Sequence, residues 1–165
     1  MPFTFGQINH MMMQKVKIEK FKVIGISVRT YNINYQAQQD IGLLWQSLFS
    51  ENIINKIPNK ESTDIYCVYT NFEGDLTLPY DTILGCKVSS LEDIPDGMVG
   101  HQIEGSSYIQ HLANGNVNEG VVARAWAEIW EKDFNRSYTS GFDVYGDKAR
   151  NPEDAEVDIF VAVKR

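Results

Sequence analysis

Two stretches roughly eighty residues apart carry the same aromatic stripe. In the first, Leu44-Trp45 is followed by Leu48-Phe49; in the second, Ala125-Trp126 is followed by Ile129-Trp130. Apolar residues at i, i+1, i+4 and i+5 make one face of a 3.6-residue period, so both stretches are expected as amphipathic helices. Around each helix the chain reads strand, helix, strand, strand. A duplicated β-α-β-β unit restricts the fold to two like halves related by a pseudo-twofold axis. Such halves leave a groove between them, and small ligands usually bind in grooves of that kind.

The first strand is expected over residues 17–29, where Phe21, Val23, Ile24, Ile26 and Val28 supply apolar and β-branched side chains. A polar turn at 30–34 leads into a helix over 36–49. Residues 50–64 hold Asn55, Pro58 and Asn59 and read as a loop with at most one residual turn. Strands at 65–70 and 80–89 follow, joined by a hairpin connection through Glu73-Gly74-Asp75. The acidic segment 90–97, with Pro95 and Asp96-Gly97, is the linker between the copies. In the second copy, 98–104 and 106–112 read as one strand interrupted at Gly105 by a bulge or kink. A helix is expected over 118–133, with Asn116 or Asn118 as its cap, then strands at 141–145 and 156–164. Mostly antiparallel pairing of these elements makes an α+β fold, with helices packed on one side of the sheet and a cleft between the halves.

Length and composition agree with one domain made of two repeats, about 16–90 and 98–165. At 165 residues, 43% hydrophobic and 22% charged, the chain is an ordinary globular length of sequence. Met11-Met12-Met13 suggests alternative starts or a leader, so residues 1–15 are set aside from the fold. That segment has no signal-peptide pattern, and no apolar run reaches membrane-span length. Cys67 and Cys86 sit in separate strand-like runs, which fits reduced thiols and a cytoplasmic location. With 22 acidic against 15 basic residues the formal charge is −7, and no Lys/Arg cluster supports direct nucleic-acid binding. His10, His101, His111 and the cysteines show no metal-ligand spacing, and no phosphate loop or nucleophile motif is present. No metal or cofactor is expected.

The last two strands carry the candidate chemistry. In 157–163 the period of two places Val157, Ile159, Val161 and Val163 on one face, expected to meet the helices. Glu156, Asp158 and Phe160 then point the other way. In 142–145, Phe142 and Val144 are assigned to the helix side, with Asp143 and Tyr145 opposite. On this reading Asp143, Tyr145, Asp158 and Phe160 line one concave surface. A carboxylate among aromatic rings suits a hydrophobic cation, through charge pairing and cation–π attraction. The bland alternative is that both aspartates are solvated residues of a half-exposed sheet. Trp45, Trp126 and Trp130 are either cleft walls or core, and Tyr108, on the strand entering the second copy, is a further candidate.

The run from Asn151-Pro152-Glu153-Asp154 through Val161-Ala162-Val163-Lys164 resembles the C-terminal signature of integron-associated effector-binding proteins. These belong with the gyrase-inhibitory-protein-like and AraC-type effector-binding domains. Phe142-Asp143-Val144-Tyr145 is similar to that family's aromatic-acidic-valine-tyrosine strand. Residues 23–30, Leu44-Trp45, the Tyr69 region, 83–88, 94–97 and 125–130 fit as well, so the resemblance covers about 17–164. It implies a duplicated β-α-β-β fold whose cleft binds amphipathic, often cationic, small molecules, with an acid on a cleft strand as the cation's partner. The matching acids here are Asp143 and Asp158. The family usually has Glu where this chain has Asp143, one methylene shorter, which shifts weight toward Asp158 or Glu156.

The expectation is thus a stand-alone domain that binds amphipathic, cationic ligands in sensing or sequestration, linked to transcription regulation through a regulatory protein partner rather than through DNA. A small-molecule hydrolase using cleft acids, and an interaction or inhibitor module of the gyrase-inhibitory type, are the alternatives. Monomer and homodimer both remain open.

Overall fold

The computed structural model describes residues 13–164 apart from 76, 133 and 134; residues 1–12 of the segment 1–15 set aside above lie outside the described residues. Eight antiparallel strands form one sheet: β1 (Met13–Ile18), β2 (Phe21–Thr30), β3 (Ile65–Thr70), β4 (Tyr80–Val88), β5 (Val99–Ile103), β6 (Ser106–Gly115), β7 (Arg136–Tyr145) and β8 (Ala155–Val163). Helix α1 (Gln36–Ser50), the short α2 (Ile53–Lys56) and α3 (Val121–Glu131) are the α-helices among the described residues, with 3-10 turns at Val117–Glu119, Asp147–Ala149 and Pro152–Asp154. The helices pack on one face, giving the expected α+β architecture.

The strand order is β1-β6-β8-β7-β3-β4-β2-β5. It reads the same from either end once β1 is exchanged with β5, β2 with β6, β3 with β7 and β4 with β8. The pseudo-twofold is therefore present, but each half is β-β-α-β-β, one strand longer than expected. Residues 17–29 do not form one strand: β1 ends at Ile18, pairs with β6 of the other half, and leaves β2 to pair with β4 and β5. The same happens at Gly105, where β5 turns away toward β2 and β6 continues toward β8. The apolar alternation slips by one residue at each corner, from Val16 and Ile18 to Phe21 and Val23 and from Ile103 to Tyr108, where the partner switches. β1 begins at Met13, inside the segment set aside as a leader.

The dyad passes between β3 and β7. Cys67 lies opposite Asp143, Tyr66 opposite Val144 and Val68 opposite Phe142. Tyr66-Cys67-Val68-Tyr69 and Phe142-Asp143-Val144-Tyr145 thus occupy equivalent places in the two halves, with Cys67 the counterpart of Asp143. At Gly25 and Gly85, which face each other on β2 and β4, an added Cβ would sit 2.2 Å from the Leu84 carbonyl oxygen or 2.0 Å from that of Ile24. Only glycine allows the two backbones to approach so closely.

Each helix stripe divides between the sheet and the space above it. In α1, Leu44 and Leu48 are buried on the sheet, whereas Phe49 is 65% exposed. In α3, Ala125, Trp126 and Ile129 are buried, and Trp130 is 40% exposed. This helix starts at Val121, later than expected, because Gly120 takes φ +81° and Asn116 caps a separate single turn through the Asn118 N–H at 2.9 Å. Within the expected loop, α2 is the residual turn, and Ile53 and Ile57 anchor it in the core.

The other face of the sheet is also apolar. Phe21, Val68, Ile103, Tyr108 and Phe142 form a core there, joined by Val16, Ile18, Tyr66, Val144 and Phe160. The two-residue corner between β1 and β2 closes this face, because it links one edge of the sheet to the neighbour of the other edge. Phe21 then meets Phe142 edge-on at 5.1 Å across the enclosed space.

Candidate functional site

The register of β7 corrects the face assigned to its side chains. Residues directly opposite in neighbouring strands share a face. Asp143 stands between Cys67 and Ile159, both in helix-facing clusters, and Phe142 stands between Val68 and Phe160. Asp143 and Tyr145 therefore face the helices, whereas Phe142 and Val144 face the opposite core. The placement of Val157, Ile159 and Val161 toward the helices holds. Asp158 and Phe160 do point away from the helices, and so cannot share a cavity with Asp143. Alternation fixes which residues of one strand lie together, but it does not fix the phase between strands.

Between α1 and α3, over β3 and β7, lies a cavity of about 1250 Å³. Trp45 and Phe49 line it from α1, Trp126 and Trp130 from α3, and Tyr69 and Tyr145 from the sheet. Phe72 and Tyr80 extend one end of it. The aromatic contacts obey the pseudo-twofold in a crossed manner. Trp45 of the first half meets Tyr145 of the second edge-on at 4.9 Å, and Trp126 of the second meets Tyr69 of the first edge-on at 5.3 Å. Such edge-to-face pairs add about 0.5–1.5 kcal/mol beyond their area burial.

Asp143 lies directly beneath this floor, fully buried. Its Oδ1 accepts the indole N–H of Trp126 at 2.8 Å and its Oδ2 accepts the Tyr69 hydroxyl at 2.7 Å. Cys67, its counterpart across the dyad, donates to the Tyr69 oxygen at 3.3 Å. Burial pushes the Asp143 carboxyl up to about 7, against the opposing pull of the two hydrogen bonds. The same burial, with the nearby carboxylate, raises the Tyr69 and Tyr145 phenols well above the usual range. The group at the centre of the site is thus a carboxyl poised near neutrality, wired to one tryptophan and one tyrosine of the cavity wall.

The remaining candidates fall into two sets. Trp45, Trp126, Trp130 and Tyr145 line the cavity together. Asp158, Glu156, Phe160 and Tyr108 lie on the opposite side of the sheet. Asp158 accepts a long 3.4 Å bond from Gln110, and Glu156 pairs with Lys148 at 3.5 Å. Phe160 stacks on Phe142 at 4.7 Å, and Tyr108 is fully buried with its hydroxyl against Ser140. Sequence reasoning passed over Tyr69, Tyr80, Phe72, Asp64 and Arg136 as cavity residues. A signal existed for Tyr69, because the Tyr-Cys-Val-Tyr and Phe-Asp-Val-Tyr segments match residue for residue and put Tyr69 in the place of Tyr145. Among the described residues, no group of three or more His, Cys, Asp and Glu is placed to hold a metal ion. No described helix is long and apolar enough to cross a membrane.

Comparison with known proteins gives this geometry a context. YobU of Bacillus subtilis (strain 168) is 26% identical over 145 residues, which is 86% of this chain and 91% of that protein. The integron cassette protein VCH_CASS2, from the mobile metagenome of Vibrio cholerae, has the same fold with a TM-score of 0.71 at 28% identity, over 92% of this chain and 95% of its own. SAV2435, solved bound to tetraphenylphosphonium, has a TM-score of 0.76 at 19% identity, over 92% of this chain and 93% of its own. The family described as integron-associated effector binding protein matches residues 16–163. With that match running from β1 to the end of β8, the chain belongs to the integron-associated effector binding protein family.

Proposed function

We propose that this protein binds amphipathic, cationic small molecules in the cavity between α1 and α3, and acts in sensing or sequestration. The observation that carries the reading is Asp143, a buried carboxylate behind the Trp126 and Tyr69 rings of a large aromatic cavity. A lipophilic cation gains twice there. It rests on ring faces, each worth about 0.5–2 kcal/mol, and it sees the charge of Asp143 through a medium with little water. Hydrogen bonding to the carboxylate also enriches the electron density of the two rings that receive the cation. The carboxylate need not touch the ligand, so the shorter side chain of Asp compared with Glu is no obstacle.

The tetraphenylphosphonium held by SAV2435 is a ligand of this kind, although at 19% identity that protein supports the shape of the site more than its chemistry. The hydrolase alternative loses its acid–base pair, because Asp143 and Asp158 lie on opposite faces of the sheet. The test is titration of tryptophan fluorescence with tetraphenylphosphonium and with its anionic isostere, tetraphenylborate. Binding of the cation tighter than about 100 μM, near −5.5 kcal/mol, with weaker binding of the borate, is expected. Failure of both ions to bind, or preference for the borate, overturns the reading.

A further inference from the structure

Two arginines line the cavity: Arg150 pairs with Asp147 at 3.0 Å, whereas Arg136 has no such partner among the described residues. Arg136 opens β7 and lines the cavity beside Trp126. Its place is set by an irregularity in the sheet. Arg136 lies opposite Val163, yet the next residue of β7 paired with β8 is Gly141, opposite Val161. The surplus residues of β7 form a bulge in which Tyr138 adopts φ +56°, a left-handed conformation unusual for an aromatic residue. Bulges of this kind re-aim side chains at the rims of sites. Here the guanidinium carbon stands 4.5 Å from the Tyr138 ring centre and 5.8 Å from that of Trp126.

Two polar atoms of Arg136, Nε and Nη1, are buried without a hydrogen-bond partner, and among the described residues no carboxylate pairs with it. A guanidinium stays charged even when burial disfavours it. Ring faces replace only part of the hydration it has lost, and unused donors of a buried charge are expensive. The guanidinium is half-buried at the cavity wall, so an acceptor in the cavity meets its positive charge through the part of the side chain that stays exposed, while Nε and Nη1 lie behind it.

We propose that Arg136 is an anion subsite of the cavity, which takes a carboxylate, sulfonate or comparable acceptor group carried by an amphipathic ligand. The proposal deepens the reading of the cavity as a small-molecule site. Asp64 lines the opposite end, past the Ile65–Tyr145 pair, whereas Arg136 lies past the Thr70–Ser140 end. At ~3.3 Å per residue these ends are about 20 Å apart along the floor. Asp147 and Arg150 also line the Asp64 end but pair with each other at 3.0 Å, so among the described residues the unpaired charges that polarise the cavity are Asp64 at one end and Arg136 at the other. The cavity suits zwitterions, with a cationic body over the aromatic floor and an acidic arm at Arg136, and not simple cations alone.

The experiment uses two fluorescent probes that share one scaffold, 8-anilinonaphthalene-1-sulfonate and the uncharged N-phenyl-1-naphthylamine. Both are titrated into the full chain and into Arg136→Gln and Arg136→Lys variants. The expected result is that R136Q weakens the sulfonate about tenfold or more and the uncharged probe by less than about twofold, with partial recovery in R136K. Tetraphenylphosphonium is titrated in the same samples and reports an intact cavity. Equal loss of both probes in R136Q, no loss of either, or no sulfonate binding by the parent overturns the subsite. If tetraphenylphosphonium binds while the sulfonate ignores R136Q, the anion subsite falls and the cation reading stands. If the sulfonate depends on Arg136 and the cation does not bind, the reverse holds.

Discussion

Cation affinity in this cavity should depend on pH through one residue and in one direction. The Asp143 carboxyl titrates at about 7 in the empty protein instead of near 3.8, because burial outweighs the hydrogen bonds from Tyr69 and Trp126. A cation resting on those rings would stand about 6 Å from the carboxylate and gain about 3 kcal/mol at an effective dielectric of ~20. By linkage, the same energy brings the carboxyl down to about 5 in the complex. Binding therefore releases a proton between those limits. Affinity is level above about pH 7, falls toward about pH 5 and is level again below it, so binding at pH 6 is about tenfold weaker than at pH 8. The full span is about a hundredfold, and Asp143→Asn should lose that same factor at high pH while showing no pH dependence. Tetraphenylphosphonium has a fixed charge, so in a fluorescence titration from pH 5 to pH 8 only the protein titrates. A parent affinity that does not change with pH, or a D143N variant with the same slope as the parent, would refute the reasoning.

Stability carries the opposite sign. The native carboxyl of Asp143 is raised above its unfolded value, so this group's contribution is fully present below about pH 4 and is lost as pH rises to about 7; the loss is about 4 kcal/mol, and urea unfolding of D143N against the parent should show it removed. Trp126→Phe strips Oδ1 of its donor, which should raise the Asp143 carboxyl further and cost about 2–4 kcal/mol, read as a lower urea midpoint and an upward move in the midpoint of the pH dependence of binding. Asp158→Asn, on the far face with one long hydrogen bond, should leave cation affinity within about twofold and stability within about 0.5 kcal/mol. Tyr108→Phe loses the buried contact with Ser140 and should cost about 1 kcal/mol by urea unfolding, with cation affinity unchanged.

The duplication was legible because helical period and aromatic stripe survive in both copies, and the order of elements followed from them. The exchanged strands β1 and β5 were not, because the one-residue slip in alternation at Glu19-Lys20, from Val16 and Ile18 to Phe21 and Val23, marks a break in the strand but not the change of partner, which is a tertiary event. Asp143 stood among the candidate acids, with weight shifted toward Asp158 or Glu156, and its face was inverted. The error has a physical origin: a carboxylate was assigned to the accessible side of the sheet, as its hydration normally demands. Here two donors, one from a helix and one from a strand, take the place of water. Neither donor is near Asp143 in sequence; Trp126 is 17 residues away and Tyr69 is 74. Arg136 gave no local signal at all, because its position depends on the bulge between two strands.

On the proposed reading, the pseudo-twofold explains why one carboxylate would suffice and why it lies where it does. A group on the dyad between β3 and β7 is equally near both aromatic pairs, Trp45 with Tyr145 and Trp126 with Tyr69. Two acids there would face each other across adjacent strands, and like charges at that separation cannot both ionise. Cys67 avoids this by placing a small, uncharged side chain opposite Asp143, and burial holds its thiol protonated, well above the usual range. Asp143 then spends both its oxygens on Trp126 and Tyr69, which leaves the Trp45–Tyr145 pair as an apolar wall. Arg136 stands beside the same tryptophan. The two halves therefore share the work of building the walls, while divergence concentrates hydrogen-bonded charge around Trp126. On the proposed reading, a ligand would take its shape from the symmetry of the cavity and its orientation from the departure from that symmetry.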